Sequence, residues 1–498
     1  MARRLTRLFR LTGTLVADQP LHVGGLDELA VTDQPVARDG FGRPYLPGTS
    51  LAGALFAAMG EHASAAHRGA VDENKGPTCA SRVLIEDAPL LDGVIPELWD
   101  GVGIDRVHGA AAARIKYDRE VLPAGSRFAF TLSYEADGDD DFARAFMGRV
   151  VTVLQRGLPL GASTSRGLGR VRLEGARGLD LNWHDRNAVL SYLSRATAPC
   201  EATIDAWHKA AVATGIQTED GLDILVQWRP RLPLMVKAGQ EGLATDVLPF
   251  VSRLPNGTYA LALPGSGLKG ALREQAERIV RSVRGLDVEA DAPFHETVDV
   301  PIVRELFGLA RRRTQRRGED SGPGRGLLAV DSVYAGQGHL EQVWRRLADE
   351  ASPPPAGFDR AMHVAIDRWT GGAAEAFLYS AAEPSLDTPW QPIRLRYRPR
   401  PAHARQTGEQ QPHRDSRIAL HLALLWLVLE DLRAGRIALG FGKNRGYGAI
   451  VVASICFEGS LAEHYGLPAQ VSGQCSLLDQ PPPGLRQAWQ QWLMEDEA

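Results

Sequence analysis

The sequence predicts an α+β protein made of two tandem ferredoxin-like (RRM-like) β-α-β-β-α-β domains. Two observations predict it. A set of landmarks occurs twice in one order along the 498 residues, and each copy runs through the same succession of strand and helix patterns. The landmarks begin with an aspartate loop, Thr32-Asp33-Gln34-Pro35 against Thr245-Asp246-Val247-Leu248-Pro249. A helix start follows, Leu46-Pro47-Gly48-Thr49-Ser50-Leu51-Ala52-Gly53 against Leu263-Pro264-Gly265-Ser266-Gly267-Leu268-Lys269-Gly270. Then come Ile104-Asp105-Arg106 against Ile366-Asp367-Arg368, and finally a G-x-x-x-x-R-G-x-G loop at 161–169 and 440–448. One match is within the reach of chance; four in the same order mark a duplication.

In the first copy, residues 8–16 alternate apolar and polar side chains, as a half-buried strand does. Residues 50–59 are Ala/Leu-rich at helical spacing behind Pro47-Gly48. Residues 82–85 and 128–134 read as strands, 142–154 as an amphipathic helix and 168–173 as a closing strand. The second copy shows strand patterns at 223–228, 328–330 and 447–455, with helices at 268–283 and 418–432. These patterns divide the chain into a first domain at 1–185, an Ala-rich, partly helical spacer at 186–218, a second domain at 219–455 and a tail with a short helix at 456–498.

Composition narrows the functional classes. The net charge of −4 argues against an indiscriminate nucleic-acid binder. The tail from Cys456 onward holds six acidic residues and one arginine, which leaves residues 1–455 near +1, so any RNA surface is a local patch. Residues 311–325 predict a mobile basic loop whose arginine run, 311–317, is either an RNA-steering arm or merely solvated, and residues 397–415 are polar and also basic. The four cysteines have neither zinc-ligand nor disulfide-framework spacing, and no signal peptide is evident, which predicts a reduced, cytoplasmic protein. The most apolar run, 418–429, contains His421 and is too short to span a bilayer.

The repeated loops carry the chemistry. Gly161, Gly167 and Gly169, with Ser163 and Ser165, surround Arg166; Gly440, Gly446 and Gly448 surround Lys443 and Arg445. Glycines allow left-handed backbone and close approach to a phosphate, exposed amides form an anion-binding concavity, and arginine is a bidentate phosphate donor. A tight turn is the plainer reading of one such loop; its repetition favours phosphate binding. A nucleotide P-loop is excluded, because no Gly-Lys-Ser/Thr run is present and the loop follows a helix.

Taken together, Leu21-His22-Val23-Gly24-Gly25, the Asp33 loop, Pro44-Tyr45-Leu46-Pro47-Gly48, Ile104-Asp105-Arg106 and the glycine loops resemble the RAMP superfamily. The likeness is to backbone subunits of type III CRISPR effectors, and the tandem build resembles the fusions of subtype III-D. It implies an antiviral effector subunit that lays guide RNA along its domains and inserts a thumb-like hairpin between bases, here at 105–123 and 367–384. It implies RNA contacts at Ser50, Lys269, Arg106, Arg368 and the loop residues named above. Ala52 stands where the second copy has Lys269, the family's usual residue. Trp369, set opposite His108 in the repeat, is a stacking candidate.

The family also cuts paired target RNA once per active domain. That implies Asp33 and Asp246 as catalytic residues, accepting the 2′-hydroxyl proton or holding Mg²⁺ or a similar divalent cation together with the substrate phosphate. On the residues alone an aspartate shortly before a proline is usually a turn residue whose side chain caps its own backbone. Asp39, before Gly40, reads as a solvated turn. The implied partners are a CRISPR guide RNA, a single-stranded target RNA, other RAMP subunits and a large polymerase-like subunit, with no membrane. A non-catalytic RNA scaffold, and a metal-independent guide-processing nuclease using His22, are the alternatives.

Overall fold

A computed structural model describes residues 5–25, 32–69, 79–138, 140–213, 221–239, 241–289, 292–309, 324–350, 353–399 and 411–495. The basic run at 311–317 and most of that at 397–415 lie outside these residues.

Alternation builds the first sheet. β1 (Arg7–Gln19) buries Phe9, Leu11, Leu15 and Ala17 and turns its other side chains outward. It lies antiparallel between β3 (Arg127–Ala136) and β4 (Arg170–Asn182), with Leu11 opposite Leu132 and Leu15 opposite Leu173. β2 (Val83–Ile85) adds outside β3, giving the order β2-β3-β1-β4 for these four strands. Between β1 and β2 comes α1 (Gly48–Met59), whose Leu51, Leu55 and Met59 recur every four residues and are all buried. Between β3 and β4 comes α2 (Asp140–Arg156), which contributes Phe146, Met147, Val150 and Leu154 to the same core. Each such side chain taken fully from water stabilises the fold by about 1.5–3 kcal/mol.

β4 runs nine residues past the expected end at 173. The ladder with β1 shifts register between Thr12 and Thr14, and Gly175 sits there with φ 59°. This bulge breaks the two-residue alternation without ending the strand.

The second sheet repeats the first: β5 (Leu222–Pro230), α3 (Gly265–Arg284), β6 (Leu328–Val330), β7 (Ile393–Tyr397), α4 (Gln411–Arg433) and β8 (Ile450–Glu458). Its strand order, β6-β7-β5-β8, is that of the first sheet with each strand replaced by its counterpart. β7 is the strand the sequence patterns leave out. His421, within the apolar run of α4, is buried but satisfied: it sits 3.1 Å from the Tyr397 hydroxyl on one side and 3.1 Å from Glu305 on the other. Arg417 completes the group, and the hydrogen bonds from His421 and Arg417 outweigh burial, holding Glu305 down to about 2.

By its contacts the chain divides into two compact units. One comprises residues 1–98, 119–164 and 168–219; the other comprises 99–118, 165–167 and 220–498. The segment 186–218, read as a spacer, therefore falls within the first unit: its helix Glu201–Ala213 places Trp207 fully inside the first core. The stretch after Cys456 belongs to the second. Strand Gln470–Ser472 pairs with β8, and Leu477 and Leu485 enter the second core.

Each copy carries an antiparallel hairpin between β2 and β3 or between β6 and β7. The arms are Glu97–Ile104 with Ala111–Val121, and Phe358–Ile366 with Ala373–Pro384. The thumbs expected at 105–123 and 367–384 are only the tips and returning arms of these hairpins. The Ile-Asp-Arg motif is the tip turn itself. Asp105 Oδ1 accepts the amides of Val107 and His108, at 2.9 and 2.8 Å. Asp367 Oδ1 accepts those of Trp369 and Thr370, both at 2.8 Å. Trp369 is thus the counterpart of Val107, not of His108.

Candidate RNA interface

The two glycine loops have one backbone. Positions 161, 163, 167 and 169 have φ of 80°, 58°, 83° and 70°; positions 440, 442, 446 and 448 have 80°, 68°, 86° and 81°. Ser163 therefore holds a left-handed conformation that Gly442 supplies in the second copy, where a glycine carries no steric penalty. The anchoring bonds also match. The amides of Ala162 and Phe441 donate to the carbonyls of His22 and Met235, at 2.9 and 2.8 Å. Those of Gly169 and Gly448 donate to Pro20 and Pro233, at 2.8 and 2.9 Å. A β-carbon at 161 or 440 would overlap the His22 or Met235 carbonyl, and one at 169 or 448 that of Leu160 or Leu439. Loop packing alone therefore requires glycine at these four positions.

What the strapped loops hold outward is arginine. Arg166 and Arg445 are both exposed. Arg445 donates to the Tyr379 hydroxyl at 2.7 Å, and its guanidinium lies 5.4 Å from the Phe441 ring centroid. Lys443 beside it is held by Glu274 at 2.9 Å. In the first loop the Ser163 hydroxyl accepts from Arg119 at 2.5 Å. The Ser165 carbonyl accepts the Val330 amide at 3.3 Å, and the Gly167 carbonyl accepts the Ser332 hydroxyl at 2.8 Å.

The aspartate loops match as well. Each lies beside the returning arm of its hairpin, with the Glu120 amide donating to the Gln34 carbonyl and the Ala382 amide to that of Val247, both at 3.0 Å. Asp33 and Asp246 stand one place before those carbonyls and are exposed. Around Asp33 the loop is fixed by Arg119 on Gln34 at 2.6 Å and by Glu120, which accepts the Val36 amide at 3.0 Å and pairs with Arg38 at 3.1 Å. Asp246 is tied more directly: its Oδ2 accepts the Ser380 amide at 2.7 Å and the Ser380 hydroxyl at 2.9 Å. The amide bond and then the hydroxyl bond favour the carboxylate and hold its pKa below the ordinary aspartate value. Ser380→Ala removes one donor, so a carboxyl NMR titration should place Asp246 at higher pH in the variant; an unchanged midpoint would show that the hydroxyl does not hold it. Asp39 is a turn cap, accepting the amides of Phe41 and Arg43 at 2.9 Å each.

Against this geometry, a sequence model of the RAMP superfamily matches residues 14–172 and 233–451, well over half of the chain. The chain belongs to the RAMP superfamily. No curated protein matches it. The two matched stretches each contain one aspartate loop, one hairpin and one glycine loop, so the RAMP domain is present twice. Family membership makes this a CRISPR-associated RNA-binding subunit. Among the described residues no helix is long and apolar enough to cross a membrane.

Two residues expected at RAMP positions on RNA, Lys269 and Arg106, are placed otherwise. Lys269 is 4 % exposed, and its amine donates to the Leu328 carbonyl at 2.6 Å. Burial, with Arg166, Arg273 and Arg325 nearby, pushes its pKa well below the ordinary lysine value, so it serves the core of this RAMP domain rather than a phosphate. Arg106 donates to Glu277 at 2.6 Å, and the other Glu277 oxygen takes Arg273 at 2.6 Å. Ser50 is half-buried in the first turn of α1, its amide on the Pro47 carbonyl at 2.9 Å. Arg368 and Trp369, by contrast, are exposed at the second tip, Trp369 at 96 %. His22 is buried, and its Nδ1 lies 2.7 Å from the Glu120 carbonyl. Desolvation lowers its pKa, against the bond to the Glu120 carbonyl, which raises it.

Sequence reasoning missed Ser380, Tyr379, Tyr447 and Glu277. Tyr447, within the second loop, lies 2.8 Å from His363 and is bonded to Glu383. Tyr379 and Ser380 reach the loops through the hairpin register, and Glu277 meets Arg106 across 171 residues, which no local pattern marks.

Proposed function

We propose that the chain is a guide-RNA-binding backbone subunit of a type III, III-D-like CRISPR effector that also cleaves the paired target RNA, one cut per active domain. The supporting observation is the matched position of Asp33 and Asp246, each exposed on a loop fixed against the returning arm of a hairpin. The strapped arginines, Arg166 and Arg445, give each domain a donor for the phosphates of the guide. Other RAMP subunits and a large polymerase-like subunit complete the assembly.

Cleavage proceeds by attack of a target 2′-hydroxyl on its own 3′-phosphate, leaving a 2′,3′-cyclic phosphate and a 5′-hydroxyl. The aspartate accepts the 2′-hydroxyl proton or orients the attacking group, an effect worth about 10²–10⁴ in rate. Among the described residues no group of three or more His, Cys, Asp and Glu side chains is placed to enclose a metal. A single carboxylate suits Mg²⁺, which keeps waters and substrate oxygens as its other ligands. Asp246 fits, since both of its side-chain bonds go to Oδ2. When bound, the cation supplies charge neutralisation at the phosphate. The Ser380 tie also favours a second reading for that domain alone, in which Asp246 is a structural latch and the second domain a scaffold. An effector reconstituted with Mg²⁺ should yield two cuts with cyclic-phosphate ends on the proposed function, and one cut on the second reading.

A further inference from the structure

The second aspartate loop is braced in a way the first is not. Between strand Val333–Tyr334 and its hairpin the second copy builds a helix, Glu341–Asp349, where the first copy has only residues 90–96. The last carbonyls of a helix have no partner inside it. Here the aspartate loop takes two of them. The Ala244 amide donates to the Ala348 carbonyl and the Thr245 hydroxyl to that of Leu347, both at 2.8 Å. The approach is close, since a β-carbon on Gly242 would overlap the Ala348 carbonyl.

One side chain ties this contact to the hairpin. Arg360, on the arm Phe358–Ile366, donates from Nε to the Thr245 hydroxyl at 3.0 Å. Its Nη2 donates to the carbonyls of Leu347 and Glu350, at 3.2 and 2.8 Å. A cation is favoured at such a helix C-terminus. Thr245 is 1 % exposed, and its hydroxyl is fully used, accepting from Arg360 and donating to Leu347. The returning arm grips the next residue, Asp246, through Ser380. The loop is therefore held from both arms of one hairpin. The first copy keeps the threonine as Thr32, but Leu98 stands where Arg360 does, six residues before the shared Ile-Asp-Arg tip. The Thr32 hydroxyl oxygen is buried and has no hydrogen-bond partner among the described residues.

We infer that Arg360 is a positioning residue for the second-domain cut: acting through Thr245 and the helix Glu341–Asp349, it sets where Asp246 presents its carboxylate. The inference rests on the proposed cleavage by this domain. The first domain, with leucine in place of the arginine, supplies an internal control in the same chain.

The test follows both cuts of an end-labelled target by the full chain in the reconstituted effector with Mg²⁺. Arg360→Ala should slow the cut that Asp246→Ala removes by about 10–100-fold at saturating target, because displacing a reacting group by about 1 Å costs up to about 10²-fold. The target concentration giving half the maximal rate should not move, and neither should the first cut. Thr245→Val keeps the side chain's shape and removes its hydroxyl; it should slow the same cut by a smaller factor. Arg360→Lys should recover part of the rate. If neither Arg360→Ala nor Thr245→Val slows a cut that Asp246→Ala still removes, the inference is wrong and the proposed function stands. Equal loss of both cuts, or weaker target binding with an unchanged saturated rate, would show a general structural role and overturn the inference too. A second cut that survives Asp246→Ala, or that never occurs, would overturn both.

Discussion

Asp33→Ala abolishes one of two target cuts and leaves the other, and Asp246→Ala does the converse. Each cut should fall by about 10²–10⁴ when its carboxylate is removed, the range for loss of a positioned acid–base group. Guide binding should persist in both variants, because neither aspartate is part of the glycine-loop straps, which use backbone carbonyls of residues 20–22 and 233–235. The double variant should bind guide and target and cut at neither place. Measured on an end-labelled target in the assembled effector, two undiminished cuts in both single variants would reject the assignment. Loss confined to Asp33→Ala would assign the second domain to the scaffold reading, consistent with the Ser380 tie on Asp246.

Gly448→Ala and Arg445→Ala lie in one loop and should fail in different ways. Gly448 has φ 81°, and a β-carbon there would overlap the Leu439 carbonyl. The substitution forces both a left-handed strain of about 1–3 kcal/mol and a displaced strap. The loop should lose its shape, with a total destabilisation of roughly 3 kcal/mol or more. Arg445 is exposed and, among the described residues, is held by Tyr379 and the Phe441 ring. Its replacement should leave thermal stability within about 0.5 kcal/mol. It should weaken guide binding instead and reduce the salt dependence by about one phosphate contact. A stable Gly448→Ala protein, or an Arg445→Ala protein with unaltered affinity and salt slope, would contradict the separation of roles proposed for this loop.

The architecture was readable because its signals are local. β1 and β3 alternate cleanly, α1 and α3 start behind Pro-Gly, and the four landmarks recur in order. Legibility fails where the deciding partner is distant in sequence. Lys269 and Arg106 look like phosphate ligands because nothing near them shows that Leu328 and Glu277, 59 and 171 residues away, will take their donors. β7 has only five residues, with arginine at both of its outward positions. The Ile-Asp-Arg motif shows where each hairpin turns but not where it begins, since an aspartate that caps a tip turn leaves no mark of the arm that precedes it. The loop arginines are legible, whereas the purpose of the glycines is not: at 161 and 440 a β-carbon is barred by a carbonyl more than a hundred residues earlier, and at 169 and 448 by one nine residues back that only the folded loop brings close.

The most direct measurement is ultraviolet crosslinking of full-length chain to its guide RNA, with the crosslinked peptides and nucleotides both identified. Crosslinks should fall in the two loops at 161–169 and 440–448, on nucleotides separated by one regular interval along a single strand. Crosslinks confined to one loop, or lying on surfaces away from both, would contradict the claim that each half presents the same arginine-bearing turn to RNA.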